Sequence, residues 1–523
     1  MAPKKLFASI RQRERKAMAV NAAGGLAYRR TPRQALAQLA STGCFGDTFY
    51  TSACGQLTHA LSLADQLDPE FVAKTAIYAR RRALMKDMPA LLCASLAARR
   101  APFAAEAFAG AIDNVKQLRN FVQIMRSGAT GRRSLGTAPR RLVREWLASR
   151  SDEQLFLGSI GSNPSLGDVI RMVHPKPSTP SREALYAYLV GQPYDFASLP
   201  ALVQQYEKFK RNTNVGKVQL PDVPLQMLTA LPLTIQDWRQ AARRASWQTT
   251  RMNLSAFARH GVFDDAECAA VVANRLRCKK LIEGARAFPY QLLVAYMHAD
   301  ERIPQVVRDA LHDAMEIATS SAPHVPGQVY VCPDVSGSMH SPVTGRHAAS
   351  SRVRCLDVAA LIAATVLRKN PGAEVIPFKE EVVRVRLDPR DTIMTNAQRI
   401  AEVTPGGTDC SAPLRLLNAR AATGDLVVIV SDNESWINSR PGFWMEPMET
   451  SVMHQWKAFK TRNPQARLVC IDLQPNLTTQ VKVRSDVVNV GGFSDHVFQL
   501  LADVAAGRHN VDFWVEEIEQ ISL

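Results

Sequence analysis

The stretch at residues 329–339 constrains the fold of this chain more than any other part of the sequence. It begins with an apolar, β-branched run that ends in Asp334, and Ser336 and Ser338 follow on small residues. A buried strand that runs into such a loop is typical of an open α/β sheet, where ligand sites form at the carboxyl ends of the strands. The stretch therefore predicts one carboxylate and two hydroxyls at a sheet edge. Oxygen ligands of this kind suit Mg2+ or Ca2+ better than Zn2+.

Two later stretches offer oxygen ligands to the same edge. Residues 405–409 carry Thr408 on a glycine turn, and residues 426–432 form a second apolar run that ends in Asp432. Because the carboxyl ends of parallel strands meet at one edge, we expect the three loops to converge on one ion. The alternative is three ordinary strand-end loops with polar caps.

The order Asp-x-Ser-x-Ser, then Thr, then Asp resembles the metal-ion-dependent adhesion site of von Willebrand factor A domains. The resemblance implies a divalent cation, with Mg2+ favoured, and five ligand residues: Asp334, Ser336, Ser338, Thr408 and Asp432. In related A domains an acidic side chain of a partner fills the remaining coordination position. The resemblance thus implies a docking surface for an acidic protein ligand.

The second half of the chain alternates between strand and helix patterns. Besides the run before Asp334, strands are predicted at residues 373–378, 382–387, 426–430, 466–472 and 487–490. Helices are predicted at residues 356–369, 413–420, 453–461 and 495–505. Strands that alternate with helices indicate a doubly wound parallel sheet.

Length and composition bound the class of protein. A chain of 523 residues is too long for a single core, so two or more domains are expected. No apolar run is long enough to span a membrane, and the N-terminus lacks the apolar core of a secretion signal. The nine cysteines include no Cys-x-x-Cys pair, which favours reduced thiols and a cytoplasmic location.

The net charge of +16 is unevenly distributed along the chain. From Ser321 onward there are 20 Lys and Arg against 22 Asp and Glu, which leaves 44 against 26 in the preceding part. The basic first part therefore predicts a polyanionic partner, with nucleic acid favoured over a membrane. Charge that served only solubility would not need to be segregated in this way.

The first half is predicted to be helical after a basic arm at residues 1–20 and a breaker at residues 21–25. Thr31 and Pro32 are typical of a helix start. Helices are predicted up to about residue 320, among them residues 34–39, 71–85, 89–98, 103–124, 139–148 and 266–280. Stacked helix pairs without a fixed repeat length indicate a degenerate α-solenoid.

Three groups of motifs in this half resemble one family. They are residues 28–33 with 43–50, residues 164–177, and residues 231–234 with 246–254. They are similar to the TROVE module of the Ro autoantigen family, whose expected second half is an A domain. The resemblance divides the chain into a basic arm at 1–20, a TROVE domain at 21–322 and an A-like domain at 323–523.

The resemblance to the Ro family implies a multidomain fold, in which a ring of α-helical HEAT-like repeats precedes the doubly wound α/β domain. It implies a monomeric scaffold protein, not an enzyme, that acts in RNA quality control and stress survival. Its RNA partners would be small non-coding Y RNA and the single-stranded 3′ ends of misfolded or structured RNA. Some bacterial relatives are coupled through Y RNA to an exoribonuclease, which would be a further partner.

Candidate RNA-binding residues follow from charge, spacing and this resemblance. Phosphate binding requires Arg or Lys on one face, with polar or aromatic groups for the bases. Arg140 and Arg144 are four residues apart and project together from one helix. The full set of candidates is Arg132, Arg133, Arg140, Arg141, Arg144, Arg171, His174, Lys176, Arg251 and Asn253. The alternative for each is a solvated helix face or a helix cap.

One motif departs from the family pattern. Vertebrate relatives are expected to carry Ser-His-Lys-Asp where this chain has Ser165, Leu166, Gly167 and Asp168. Two polar or basic positions are thus replaced by Leu166 and Gly167. The departure predicts that RNA contacts in this chain use other arginines or a different RNA register.

Two further classes of function stay open at the level of sequence. A Gly-x-Ser-x-Gly elbow, a Walker loop and a His-Glu-x-x-His motif are all absent from the sequence, which argues against the common hydrolase sites. A metal-dependent nucleotide or RNA hydrolase at Asp334 and Asp432 is the first alternative. A protein-only adhesion module with incidental basicity is the second.

Overall fold

The structure is a computed structural model that describes residues 18–42, 45–48, 50–211, 219–285, 289–299, 301–320, 322–343, 353–435, 449–474, 476–482, 484–492, 496–507 and 513–523. The predicted basic arm at residues 1–20 therefore lies almost entirely outside the described residues. Two compact units are present, and neither is continuous in sequence. The first draws on Met1–Gln66, Ala287–Met297 and Met315–Gln520, and the second on Leu67–Arg286, His298–Ala314 and Ile521–Leu523. The predicted domain boundaries remain predictions.

The strands lie at both ends of the chain. In chain order they are β1 (Met18–Val20), β2 (Leu26–Arg29), β3 (Val329–Pro333), β4 (Glu374–Val375), β5 (Leu426–Ser431), β6 (Arg467–Asp472), β7 (Thr478–Thr479) and β8 (Val487–Gly491). Strands β4, β3, β5, β6 and β8 form, in that order, a parallel sheet. The predicted doubly wound parallel sheet is thus confirmed.

The helices before β3 are α1 (Pro32–Thr42), α2 (Ala53–Gln66), α3 (Pro69–Arg81), α4 (Met88–Arg99), α5 (Ala104–Ala111), α6 (Val115–Ser127), α7 (Thr137–Ala148), α8 (Asp152–Gly158), α9 (Leu166–Val173), α10 (Pro180–Val190), α11 (Ala201–Arg211), α12 (Leu225–Leu228), α13 (Ile235–Arg244), α14 (Trp247–Met252), α15 (Leu254–Arg259), α16 (Ala266–Leu276), α17 (Lys279–Ala285), α18 (Pro289–Met297) and α19 (Gln305–Thr319). Those after β3 are α20 (Cys355–Lys369), α21 (Ile393–Ala401), α22 (Ala412–Ala419), α23 (Ser451–Arg462), α24 (His496–Ala505) and α25 (Phe513–Glu519). None of the described helices is both long and apolar enough to cross a lipid bilayer.

The core of the α/β unit forms because the strands are apolar on both faces, as expected for a sheet covered by helices. Every residue of β3 and β5 is buried. On one face Trp456 and Phe459 of α23 pack against alternate strand residues such as Ile429. Helix α20 contacts β3 and β5 and is buried along most of its length.

The N-terminal segment belongs to this unit, which the sequence did not predict. Strands β1 and β2 form a hairpin, and β2 pairs antiparallel with β7 through Tyr28 and Thr479. The predicted breaker at residues 21–25 is the turn of this hairpin, in which Asn21 Oδ1 accepts a hydrogen bond from Gly25 N at 2.7 Å. The strand pattern was missed because each strand is only three or four residues long.

Three other predictions about secondary structure were wrong, and one of them is the predicted helix at residues 266–280, which is split into α16 and α17. The predicted strand at residues 382–387 does not form: Val382 makes an isolated bridge with Phe378, and the following residues have no regular structure. The predicted helix at residues 103–124 is split into α5 and α6. Asn114 interrupts it because its side chain accepts a hydrogen bond from Gln117 N at 3.0 Å and so starts a new helix.

The second unit is helical throughout its described elements. Helices contact mainly near neighbours in the chain, for example α3 with α4 and α5, α4 with α6, α6 with α8, and α9 with α10. Arg182 of α10 joins this helix to α7, to the turn after α7 and to α8. It pairs with Asp152 of α8 and donates to the carbonyl oxygens of Leu147 and Arg150. Local stacking of this kind is the packing expected for a degenerate helical repeat.

Candidate metal centre and nucleic-acid interface

The first predicted ligand loop leaves the sheet at the end of β3. Strands β3 and β5 end level with each other, because Pro333 pairs with Val430. Asp334 is fully buried, and its two carboxylate oxygens accept hydrogen bonds from Ser336 N at 2.8 Å and from Ser431 Oγ at 2.6 Å. Ser336 Oγ lies 3.4 Å from Ser338 Oγ. The carboxylate and both serine hydroxyls of the motif are therefore in one place.

The second loop brings Asp432 to the same place, directly after β5. Asp432 is 1% exposed, and Ser338 lies close enough to its carboxylate to lower the pKa of Asp432. Asp432 Oδ1 accepts a weak hydrogen bond from Glu434 N at 3.4 Å. Asp432 Oδ2 is buried and accepts no hydrogen bond from any residue that the structure describes. A buried carboxylate oxygen in that state is costly unless a cation or a donor lies beside it.

The third loop carries Thr408, which is 4% exposed. It is joined to the serine loop by a hydrogen bond from Gly337 N to the carbonyl oxygen of Gly406 at 2.9 Å. The neighbouring Asp409 is occupied by other partners: its Oδ1 accepts from Ser411 Oγ at 2.6 Å, and Arg415 pairs with its other oxygen. Thr408, and not Asp409, is therefore the residue of this loop that remains for a ligand.

The electrostatics of these loops fit a bound cation. Burial raises the pKa of Asp334 to about 6. Burial and, second, the negative charge of Asp334 raise the pKa of Asp432 well above its ordinary value. Two buried carboxylates that repel each other are stabilised by a cation between them. Within the described ranges no three His, Cys, Asp or Glu residues cluster as a metal site, so hydroxyl oxygens would have to complete the ligand set here.

Two residues at this place were not found from the sequence. The pKa of Tyr50 is raised by burial and then by the negative charge of Asp432, so Tyr50 lies near that carboxylate. Glu434 is 1% exposed, and its Oε2 accepts a hydrogen bond from Ala23 N at 3.2 Å. Burial raises the pKa of Glu434 to about 7. No local pattern could reveal Tyr50, because it lies far from Asp432 in sequence.

The predicted RNA-binding residues of α7 and α9 lie close together. Arg133, Arg140, Arg141 and Arg144 are exposed, and Arg132 is partly buried. Arg144 donates from Nε to the carbonyl oxygen of Val173, which joins α7 to the end of α9. His174 ends α9 in the left-handed region with φ 48°, and it and Lys176 are exposed. Basic side chains thus lie on both sides of the contact between α7 and the end of α9.

The other candidates have structural partners. Arg171 bonds to Asp168 at 3.0 Å and to the carbonyl oxygen of Val190. Arg251 of α14 is only 8% exposed, and Asn253 donates to the carbonyl oxygen of Thr249 at 2.8 Å. Helix α14 packs on α16 and α17. The arginines before and within α7, with His174 and Lys176 at the end of α9, are therefore the more accessible part of the predicted set.

The departure at Leu166 and Gly167 has a packing explanation. Both residues are buried at the start of α9, which Ser165 caps by accepting a hydrogen bond from Asp168 N at 3.0 Å. A Cβ atom on Gly167 would lie 2.3 Å from the carbonyl oxygen of Leu189. A lysine cannot occupy this position without a shift of the backbone of α10.

The fold and the site define a protein class: an α-helical repeat region combined with a parallel α/β domain whose strand-end loops carry two buried carboxylates, Asp334 and Asp432. Residues 328–505 match the family described as the Ro60 vWA domain. The chain is 26% identical over 447 residues to "RNA-binding protein RO60" of Deinococcus radiodurans, which covers 80% of this chain and 83% of that protein. Its fold matches the crystal structure of the Deinococcus radiodurans RO (RSR) protein with a TM-score of 0.63 and 21% identity, over 92% of this chain and all of that one. The predicted resemblance to the Ro proteins is confirmed as a similarity in sequence and in fold.

Proposed function

We propose that this chain is an RNA-binding scaffold protein. The observation that carries the proposal is the similarity, over 80% of the chain, to a protein named for RNA binding. The exposed arginines of α7, together with His174 and Lys176, supply the chemistry that phosphate binding requires. The excess of Lys and Arg over Asp and Glu before Ser321 also favours a polyanionic partner such as RNA.

The RNA partners that we propose are small Y-like RNA and single-stranded 3′ ends of misfolded or structured RNA. Exposed arginines and lysines neutralise phosphates without regard to sequence, so a structured stem suits this surface. An exoribonuclease that acts on the bound RNA would be a further partner.

The loops of the α/β domain are the proposed site of a metal ion. We infer that Asp334, Ser336, Ser338, Thr408 and Asp432 hold a divalent cation, Mg2+ in the first place. Two observations support this site. Asp432 Oδ2 is buried and accepts no hydrogen bond from the described residues, and burial raises the pKa of Asp334. The cation would supply a Lewis-acidic position that binds a carboxylate of a protein partner.

The rival function is a metal-dependent RNA or nucleotide hydrolase at the same loops. A hydrolase would shorten its RNA in the presence of Mg2+ and would lose this activity on Asp334→Ala. A scaffold would release the RNA at its original length. We propose the scaffold, because the relative in Deinococcus radiodurans is named for RNA binding and not for a reaction.

The test is a filter-binding titration of the full chain at several salt concentrations. A small RNA stem-loop with a single-stranded 3′ tail is compared with the same stem-loop ending in a paired, blunt end. We expect tight, salt-dependent binding that favours the tailed RNA, with the RNA recovered intact. Equal, weak binding to both RNAs would overturn the 3′-end preference, and shortened RNA in the Mg2+ samples alone would establish the hydrolase.

A further inference from the structure

The chain turns back after β4 and then leaves its backbone without partners. Val383 N donates to the carbonyl oxygen of Pro377 at 2.8 Å, which closes the turn. Among the residues that the structure describes, none bonds to the backbone N–H or carbonyl groups of residues 384–387. This stretch, called the open segment below, makes up most of the strand that the sequence predicts at residues 382–387. The predicted strand has no neighbour here, so its hydrogen-bonding groups stay available.

The open segment has the side-chain pattern of a β-strand. Arg384 and Arg386 are exposed, whereas Val385 and Leu387 are partly buried. Because the side chains of an extended chain point alternately to opposite sides, this pattern places both arginines on one side and both apolar residues on the other. An exposed strand with unpaired backbone groups is a template to which another extended chain can add.

Both ends of the open segment are held in place. Before it lies the bonded turn after β4. After it, the buried Asn396 of α21 binds both backbone groups of Asp388: its Oδ1 accepts from Asp388 N at 3.2 Å, and its Nδ2 donates to the carbonyl oxygen at 2.7 Å. Asp388 Oδ1 accepts from Arg390 N at 2.8 Å, and Arg368 donates to the carbonyl oxygens of Pro389 and Arg390. A segment fixed in this way loses little conformational entropy when a partner binds.

An open groove of about 580 Å3 runs beside the open segment. Its other lining residues are Asp388, Asp391, Arg399, Glu402 and Val403, which come from the turn before α21, from α21 itself and from its end. The volume falls within the range of about 300–1,000 Å3 that is typical of ligand sites. The unpaired backbone and a space for the side chains of a bound chain therefore lie together.

The charges of the groove leave two arginines without an acidic partner. Asp391 is paired with Arg399 Nη1 at 2.5 Å. Arg384 and Arg386 form no ion pair with any residue in the described part of the chain. They are two positions apart, so both face the same side of the open segment. Their spacing matches two acidic side chains at alternate positions of a neighbouring extended chain.

We propose that the open segment binds an extended acidic segment of a partner protein, which adds to it as a β-strand over the groove. Acidic side chains at two alternate positions of the partner lie opposite Arg384 and Arg386, and its backbone supplies both donors and acceptors to the open segment. A nucleic acid matches this surface less well, because phosphates accept hydrogen bonds but do not donate them, and the carbonyl oxygens of the open segment would stay unpaired. This surface includes none of the residues of the proposed cation site, so the partner binds without the cation.

The test measures binding of a defined peptide to the full chain by fluorescence anisotropy. The probe is a labelled Thr-Val-Glu-Thr-Glu-Val-Thr, and the comparison peptide has Lys in both Glu positions. Arg384→Gln combined with Arg386→Gln removes both charges from the open segment. Lys457→Gln combined with Lys482→Gln removes the same charge from exposed positions of the same unit and is the matched control. Circular dichroism establishes that each variant is folded.

We expect the acidic peptide to bind the unmodified chain and the lysine peptide not to bind. Each exposed arginine–carboxylate pair corresponds to about 2-fold to 5-fold in an equilibrium constant, so the double arginine variant should bind the acidic peptide about 4-fold to 25-fold more weakly. The double lysine variant should bind it as the unmodified chain does. Absence of binding by the unmodified chain, or equal affinities of the two double variants, overturns the proposal.

Two N-methylated forms of the probe test the strand pairing. One carries methyl groups on the amides of its third and fifth residues, and the other on those of its fourth and sixth. Alternate amides of a strand point to the same edge, so one form should bind about 10-fold or more weakly while the other keeps its affinity. Equal affinities of the two forms overturn the added strand.

EDTA and the Asp432→Asn variant separate this surface from the proposed cation site. Probe binding should be the same in both, because its carboxylates meet arginines and not a metal ion. Loss of binding in either case assigns the peptide to the cation loops and overturns the open segment as its site. Displacement of the probe by a single-stranded oligouridine, with loss of oligouridine binding in the double arginine variant, would show that this surface binds nucleic acid instead.

Discussion

Arg30 and Asp472 form an ion pair inside the α/β unit, although they are 442 positions apart in the chain. Their side chains are 5% and 2% exposed. Arg30 follows β2, and Asp472 is the last residue of β6, so the pair joins the N-terminal segment to the carboxyl edge of the sheet. Asn433 Nδ2 lies 3.4 Å from the same Asp472 oxygen and adds a weak contact from the loop after β5.

Removal of Arg30 is expected to destabilise this unit strongly. Arg30→Met keeps an apolar stem but leaves Asp472 buried without its cation, a change that costs about 3–5 kcal/mol. Chemical denaturation of the full chain would measure it. Arg33→Met is the control, because Arg33 pairs with Glu519 at side-chain exposures of 45% and 47%, and such surface pairs contribute about 0–1 kcal/mol. Equal effects of the two variants would contradict a structural role for the buried pair.

The decrease in the free energy of unfolding caused by Arg30→Met is expected to depend on pH. Burial raises the pKa of Asp472 to about 6, while Arg30 acts in the opposite sense. A carboxyl whose pKa is raised on folding favours the folded state at low pH, and this contribution is lost as the pH rises through about 6. Without Arg30 the pKa rises further, so the variant should lose more stability near neutral pH than below pH 6. A pH-independent difference in unfolding free energy between the variant and the unmodified chain would refute this.

Mg2+ is expected to stabilise the unmodified chain through the loops after β3 and β5. A ligand at roughly one hundred times its Kd raises the free energy of unfolding by about 2.7 kcal/mol. Asp432→Asn removes the carboxylate with the unsatisfied oxygen, so its thermal midpoint should not respond to Mg2+. Asp391→Asn, which alters a partly exposed pair with Arg399, should keep the response. A Mg2+ response that survives in Asp432→Asn would exclude these loops as the site.

Gly167 is expected to tolerate no side chain. Gly167→Ala places a Cβ atom against the backbone of Leu189, and overpacking of this kind costs about 1–3 kcal/mol. Gly284→Ala in α17 is the control, since an added Cβ there meets nothing within 4 Å and alanine favours a helix. The midpoint of thermal unfolding should fall in Gly167→Ala and rise in Gly284→Ala. A stable Gly167→Ala protein would show that α9 and α10 adjust more readily than their packing indicates.

The arginines before and within α7 are expected to contact phosphates. Arg133→Gln combined with Arg140→Gln should weaken RNA binding, and each lost contact should reduce the salt slope of the binding constant by about 0.7–0.9. Lys279→Gln combined with Lys280→Gln removes the same charge from exposed positions of α17 and serves as the control. If both pairs lower the affinity equally, the RNA responds to total charge and not to a surface around α7.

The ligand loops could be predicted from sequence because two of them directly follow a recognisable buried strand. A buried strand must end in a loop at the sheet edge, and β3 and β5 are adjacent in the sheet, so Asp334 and Asp432 had to meet if both runs were parallel strands. The existence of most helices followed from apolar spacing in the same way. The break at Asn114 was missed because a single capping residue outweighed a continuous helical pattern.

The sequence by itself determined the class of each half, the order of the ligand loops and the position of the basic excess, because strand burial, helix periodicity and charge are properties of neighbouring residues. Only the tertiary structure decided that the hairpin of β1 and β2 joins the α/β unit, that Arg30 neutralises Asp472, and that Ala23 donates to the buried Glu434. These contacts join residues hundreds of positions apart. In each contact a pairing with a distant partner offsets the cost of burying a charge or a polar group, and no local pattern in the chain records that pairing.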